Sequence, residues 1–270
     1  MSFDAEAVRT FERTGWDRAA ATYGGSFAAA TRQFVPALLE GLGRGDRVLD
    51  VCCGTGVVTA ALAEAGGVAT GLDFSAGMLA EARAAHPALR FDQGDAEALP
   101  YADGSFDAVV SNFGIHHVPY PHKALREAWR VLRPGGRMAF TIWAAPAENV
   151  AWNLVFHAVA TCGDPTASDA PPPGGGFASA EACVAALDVA GFGEIAAEKL
   201  RSVWHHRDGA ALLQALGAGT ARMAALIGAQ DPAKLPAIAA AIDAAAAAYR
   251  GPEGLTLPLA AVVARGRRAA

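Results

Sequence analysis

The sequence predicts an α/β protein with a doubly wound, mostly parallel sheet, and three features carry that expectation. Strand-like and helix-like patterns alternate from residue 46 to residue 144. The first apolar run, Val48-Leu-Asp-Val-Cys-Cys-Gly-Thr-Gly56, ends in a glycine turn that opens a helix. Acids recur where successive apolar runs stop, at Asp50, Asp73 and Asp95.

Arg47 to Val51 is the first strand, and Val57 to Ala65 is the helix beyond the turn. Val68 to Asp73 is the second strand, after which Ser75 offers a capping oxygen to a helix through Met78, Leu79 and Ala82. Leu89 to Gln93 and Ser105 to Ser111 are the third and fourth strands, each bounded by polar or glycine-bearing turns. Pro121 to Val131 has helical spacing, and Pro134-Gly135-Gly136 makes a turn before a fifth strand, Met138 to Trp143. Past Ala144 the rhythm stops. A helix over Val150 to Thr161 leads into Pro171-Pro-Pro-Gly-Gly-Gly-Phe177, read as a connector or mobile loop. Ser179 to Ala190 is again helical and Gly191 stops it, with a strand at Glu194 to Leu200. Asp208 to Arg250 is alanine-rich and helical, and Leu255 to Arg265 is the last strand, where Pro258 calls for a bulge or an edge position.

Composition narrows the function. With 53% hydrophobic residues the 270-residue chain has ample core material, and a net charge of −5 gives no general attraction to phosphate backbones. Nucleic acid is therefore not an expected partner. The N-terminus lacks the basic and apolar regions of a secretory signal and no uncharged apolar span is long enough to cross a bilayer, so a soluble cytoplasmic protein without a transmembrane segment is expected. The four cysteines have neither C-x-x-C nor zinc-finger spacing, so no metal site is expected, and Cys52-Cys53 reads as a buried packing pair. Nothing in the sequence sets an oligomeric state.

The chemistry concentrates at the three acids. They end three successive strands, and ligands of open α/β folds bind beyond the carboxyl ends of the strands where strand order reverses. A loop built for pyrophosphate relies on backbone N–H groups, and a carboxylate beside them repels phosphate. Asp50 thus calls for a ligand with positive charge. S-adenosylmethionine has an ammonium, a sulfonium and an adenosine and no phosphate. Asp73 would hold its ribose diol, Asp95 its adenine amino group, and Asp50 would orient the glycine turn and the methionine ammonium.

These stretches, with Gly71-Leu-Asp-Phe-Ser75, Gly94-Asp-Ala-Glu-Ala-Leu-Pro100, Ser105-Phe-Asp-Ala-Val109, His116-His-Val118 and Arg130-Val-Leu-Arg-Pro-Gly-Gly136, resemble the class I S-adenosylmethionine-dependent methyltransferases. The nearest subgroup includes the ubiquinone and menaquinone methyltransferases and many small-molecule methyltransferases. Covering residues 16 to 144, the resemblance implies a Rossmann-like seven-stranded sheet with helical lid additions. Glu194 to Leu200 and Leu255 to Arg265 would then supply its last two strands. It also implies S-adenosylmethionine as cofactor, a small-molecule methyl acceptor, and cofactor contacts by Gly54, Thr55, Phe74, Met78, Ala96, Asn112 and Phe113. Tyr23 either closes over the cofactor from an N-terminal helix or simply packs there. Cys52 stands where the family turn usually begins with glycine. With ordinary strand dihedrals it would offer its carbonyl, whereas a positive φ would penalise it.

Asn112-Phe-Gly-Ile115 lacks both prolines of the turn in amino-directed nucleic-acid methylases, which again points to a small acceptor. His116 and His117 have two readings, as a general base or as struts between the fourth strand and the next helix. The domain plan expected is an N-terminal helical cap over 1–35 and a methyltransferase domain over 36–270, with a lid at 145–178 and a helical insertion at 205–252. Candidate walls of the acceptor pocket are Trp143, Trp152, Phe156, His157, Phe177, Trp204, His205 and His206, which serve equally as packing residues. Two other functions compete. Gly54-x-Gly56 followed by Asp73 partly imitates a dinucleotide fingerprint, although Thr59 replaces the third glycine and Asp50 and Asp95 are left without a role. A binding protein that keeps the fold without turnover is the other.

Overall fold

The computed structural model describes residues 3–172, 177 and 179–270. Residues 173–176 of the expected proline-glycine connector lie outside them. In chain order the elements begin with α1 (Ala5–Tyr23), α2 (Ala28–Thr31), α3 (Val35–Leu39), β1 (Arg47–Val51), α4 (Val57–Glu64), β2 (Val68–Asp73), α5 (Ala76–Ala85) and β3 (Arg90–Gln93). They continue with β4 (Phe106–Asn112), α6 (Pro121–Val131), β5 (Leu132–Trp143), α7 (Val150–Cys162), α8 (Ala180–Val189) and β6 (Phe192–His206). Last come α9 (Gly209–Gly219), α10 (Ala221–Gly228), α11 (Leu235–Ala245), β7 (Arg250–Gly251) and β8 (Gly254–Arg268).

All strands join one sheet in the order β3-β2-β1-β4-β5-β8-β6, and the two-residue β7 pairs with β8. The pairings among β1 to β5 are parallel, whereas β8 runs antiparallel to both β5 and β6. Strand order reverses between β1 and β4. That is the switch point of a doubly wound sheet, and it fixes where a ligand can enter. Both faces are covered, as a parallel sheet requires. On one face α6 and α8 bury Leu125, Ala128 and Leu187 against Phe140, Val262 and Ala264. On the other, α3 and α4 bury Leu38, Val58 and Leu62 against Val48, Val110 and Val263. Alternate residues of β8 serve opposite faces, the two-residue period of a strand.

Local sequence explains the helix boundaries. Ser75 Oγ accepts the Met78 N–H at 3.1 Å, and Ser179 Oγ accepts that of Ala182 at 3.2 Å. Pro121 opens α6, whose buried residues include Ala124, Leu125, Ala128 and Val131. Where the sequence predicts one alanine-rich helical stretch over 208–250, the chain forms three helices. Between α9 and α10 the axis bends by 119° at Thr220, and Asp231-Pro232 separates α10 from α11. Alanine favours helix at every position but supplies no large apolar side chain to fix one long axis, so the polar and proline breaks decide.

Two strand expectations need correction. β5 begins at Leu132 instead of Met138, because Leu132 pairs with Phe106 before the register jumps to Arg137 opposite Ala108. The expected Pro134-Gly-Gly turn is the bulge that absorbs this jump. β6 runs on to His206, so His205 and His206 belong to a strand and not to the expected helical insertion, which starts at Gly209. Pro258 lies where β8 outruns β5, whose last pair is Trp143 with Ala261, leaving a neighbour on one side only. Among the described residues no single helix is long and apolar enough to cross a membrane.

Candidate active site

One cavity opens beyond the carboxyl ends of β1, β2 and β4, at the switch point. It is lined by Cys52 and Gly54 after β1, by Asp73, Phe74 and Met78 after β2, and by Asn112, Phe113 and Gly114 after β4. Asp95 and Ala96, beyond β3, complete that side. A smaller recess, lined by Asp50, Cys53, Thr55 and Val57, continues beneath the glycine turn.

The turn is built by close approach. Cys52 has φ +59° and Gly54 φ +53°, so of the two conformations weighed for Cys52 it takes the one with positive φ. A left-handed conformation costs a non-glycine residue about 1–2 kcal/mol. Tertiary contacts must offset that, and one is visible: a Cβ on Gly114 would come within 2.2 Å of Cys52 Cβ, so the turns after β1 and β4 meet here. Burial together with the charges of Asp73 and Asp50 pushes both thiols, Cys52 and Cys53, well above their ordinary range. They stay protonated, in keeping with packing.

Asp73 serves the turn before any ligand does. Its Oδ2 accepts the Gly54 N–H at 2.8 Å and its Oδ1 that of Ser75 at 2.9 Å, while the carboxylate still lines the cavity. Burial raises it to about 6, against the lowering effect of those N–H bonds. Asp50 is fully buried. Its Oδ2 accepts the Thr59 hydroxyl at 2.7 Å, and among the described residues its buried Oδ1 has no partner. Burial, opposed by Thr59 and reinforced by Asp73, raises Asp50 to about 7. An orphaned carboxylate oxygen beneath a glycine turn fits a cationic ligand group. The same Thr59 that breaks the dinucleotide fingerprint is thus the residue that steadies Asp50.

The N-terminal helix spans the cavity. Arg9 on α1 reaches Asp95 at 3.3 Å and Glu97 at 3.0 Å, and Asp17 accepts the Ser75 hydroxyl at 2.5 Å and the Gly77 N–H at 2.9 Å. Arg9, Glu12, Trp16 and Tyr23 of α1 line it, followed by Phe27 and Thr31. The Tyr23 hydroxyl lies 3.0 Å from Thr31 Oγ1. Asn112 bridges Thr31 and Thr141, accepting the Thr141 hydroxyl at 2.7 Å and donating to the Thr31 carbonyl at 3.2 Å. Phe113, at φ +55°, stacks on Trp143 with ring centroids 4.0 Å apart.

The two histidines separate. His116 is half-buried and does not line the cavity, and desolvation of its ring, with His117 and Arg222 nearby, holds it well below the ordinary imidazole range. It is a neutral packing group. His117 lines the cavity, with Nδ1 3.3 Å from Glu12 Oε2. That same oxygen accepts the Trp16 indole N–H at 3.0 Å, and Glu12 Oε1 accepts Arg222 Nε–H at 2.7 Å. Burial alone would raise Glu12, but His117 and Arg222 outweigh it and lower the carboxylate. Of the eight wall residues expected from sequence, Trp143 alone lines the cavity. Phe177 packs against Phe140 in the core, Trp204 joins the cluster under α7 and α9, and Phe156 is exposed. Sequence reasoning missed Arg9, Glu12 and Trp16. The available signal was an acid, Glu12, set within the buried stripe of α1 formed by Val8, Trp16, Ala19 and Tyr23.

Residues 49–140 match the family described as methyltransferase domain. A demethylmenaquinone methyltransferase of Beutenbergia cavernae is 46% identical over 112 residues, 41% of this chain and 47% of that protein. A ubiquinone/menaquinone biosynthesis C-methyltransferase of Roseobacter denitrificans is 43% identical over 137 residues, 46% of this chain and 55% of that one. The chain therefore spans about half the length of the curated relatives it matches. A crystal structure of a putative methyltransferase from Bacillus halodurans superposes with a TM-score of 0.57 at 19% identity, covering 88% of this chain and all of that one, and shares the fold. The methyltransferase-domain match runs from β1 to β5, the strands whose carboxyl ends carry the glycine turn and the switch-point cavity. Over that stretch the chain is similar to demethylmenaquinone and ubiquinone/menaquinone methyltransferases.

Proposed function

We propose that the protein binds S-adenosylmethionine across the three strand-end acids and transfers its methyl group to a small organic acceptor. One observation carries this: the recess that Asp50 lines adjoins, through the shared wall of Cys52, Gly54 and Asn112, a chamber lined by Trp16, Tyr23, Phe27, Phe113 and Trp143. The first region suits a cationic amino acid and nucleoside, the second a flat apolar molecule. Asp50 faces the methionine ammonium, Cys52, Gly54 and Thr55 present the turn's backbone, and Asp73 takes the ribose diol with its remaining lone pairs. Phe74, Met78 and Ala96 flank the adenosine, Asp95 takes its amino group, and Asn112 and Phe113 separate cofactor from acceptor. When bound, S-adenosylmethionine supplies an electrophilic methyl on a sulfonium. The chain contributes orientation, exclusion of water and, at His117, a place for a proton.

In this reading residues 1–35 are a cap that closes over both ligands, since α1 already contributes Arg9, Glu12, Trp16 and Tyr23 to the cavity. The lid at 145–178 acts at one remove: the Pro171 carbonyl accepts Arg222 Nη1–H at 2.7 Å, and Arg222 holds Glu12. The insertion at 205–252 contributes that arginine. An enclosed cavity under a helix suits a small acceptor better than a nucleic acid. Four free thiols suit a reducing compartment such as the cytoplasm.

Calorimetry tests the reading. S-adenosylmethionine and its demethylated product should bind the purified protein, and NAD and NADP should not. Equal or tighter binding of NAD would overturn it.

A further inference from the structure

Two features of the acceptor chamber remain unused by cofactor binding. Its walls are aromatic rings set largely edge to face, such as Trp16 against His117 at 5.2 Å and Phe27 against Trp143 at 5.8 Å, and its imidazole, His117, has Nδ1 3.3 Å from Glu12. Glu12, which faces that imidazole, is 1% exposed and fully engaged by Trp16 and Arg222. The other charged or titratable groups near the ring are Arg222 on α10, the neutral His116 beside it, and Arg9, Asp73 and Asp95 around the cavity, with Arg9 bound to Asp95 and Glu97. Glu12 therefore carries no surplus negative charge with which to capture a cationic amine.

Resting on the methyl-transfer reading, we infer that Glu12 is a positioning residue: it holds His117 by Nδ1 so that Nε2 takes a proton from the acceptor. The geometry of an imidazole requires it, because Nε2 is the ring nitrogen left once Nδ1 is turned to the carboxylate. In the reaction the acceptor's proton passes to Nε2, and the electron pair it leaves behind forms the bond to the methyl carbon. The C–S pair returns to sulfur, converting the sulfonium to a thioether. The resulting imidazolium sits against Glu12 and loses its proton to water when the chamber opens. Arg222, bound to both Glu12 and Pro171, makes the orientation of the base depend on the segment that precedes α8.

The test uses the full chain with ¹⁵N-labelled histidine. Imidazole nitrogen shifts, assigned by the signal lost in His117→Asn, report which nitrogen of the neutral His117 ring holds the proton. In the wild type and in Glu12→Gln, which keeps an acceptor oxygen, it should be Nδ1. The pair Glu12→Leu with Arg222→Met removes both charges, so that neither is stranded in the interior. It should shift the ring toward the Nε2–H form while S-adenosylhomocysteine binds within about threefold of wild type. With reduced 1,4-naphthoquinone as acceptor, kcat should fall about a hundredfold with KM nearly unchanged, and Glu12→Gln should retain most of the turnover. An unchanged tautomer and turnover in the double variant would overturn the proposal. The tautomer comparison decides the Glu12–His117 pair even if S-adenosylmethionine fails to bind, which would instead sink the methyl-transfer reading.

Discussion

Asp50 shows most directly how one residue would couple folding to the proposed cofactor binding. Its carboxyl is raised to about 7 by burial, so the folded protein holds a proton there that the unfolded chain releases near the ordinary aspartate value. Stability from this group is therefore complete in acid and lost as pH rises through 7. Asp50→Asn should accordingly raise the melting temperature at pH 8 and make little difference at pH 4, as thermal melts at the two pH values would show. Binding has the opposite sign. A cationic ligand needs the ionised form, so affinity for S-adenosylmethionine should weaken toward a limit of about tenfold per pH unit below 7, with proton release visible in buffers of different ionisation enthalpy. Asp73→Ala should weaken binding severalfold to about a hundredfold, since charge-assisted hydrogen bonds contribute about 1.5–3 kcal/mol each. It should also lower the melting temperature, because the Gly54 and Ser75 N–H groups lose their acceptor. An unchanged dissociation constant would assign Asp73 to the turn alone. The acids were legible from sequence because each lies at or just beyond the carboxyl end of its own strand. Glu12 was not: its partners His117 and Arg222 lie 105 and 210 positions away, and no local period records such a pairing.

At the scale of elements, the turn after β1 and the turn after β4 share one space, with Cys52 held at φ +59° against Gly114. Gly114→Ala should cost about 1–3 kcal/mol by overpacking, and Cys52→Gly, which suits a positive φ, should change stability by less than about 1 kcal/mol. Because both changes act on one contact, the double variant should recover much of the loss, and a denaturation cycle would measure the coupling. Additive effects would mean that the two turns do not constrain each other. The elements themselves were largely readable, from Val68–Asp73 and Pro121–Val131, whose bounds the sequence places without shift, to the Ser75 and Ser179 caps. Periodicity and capping are local signals. The bulge before β5, the break at Thr220 and the length of β6 depend on neighbours distant in sequence, and there local reading failed.

For the whole molecule, α1 is fastened across the cavity by polar pins at Arg9, Glu12 and Asp17 and by a small apolar cluster of Ala19, Ala20 and Met78, whereas β1, β4 and β8 are buried on both faces. Such attachment places α1 at the low end of local stability. Amide exchange in α1 should be among the fastest of the structured helices and should slow at least about tenfold with saturating S-adenosylhomocysteine, with β8 unchanged. Equal protection with and without ligand would show that the cap is closed in both states. The sheet order has a separate consequence for biosynthesis. β6 is translated before β8 yet touches the rest of the sheet only through it, since β8 is inserted between β5 and β6. While the ribosome is still adding the residues between them, the first five strands can pair and bury their helices, but β6 has nowhere to dock. A nascent chain arrested at residue 250 should thus carry a protease-resistant N-terminal half and a cleavable segment around 192–206, a vulnerability that closes only when the final strand slides into the gap waiting for it.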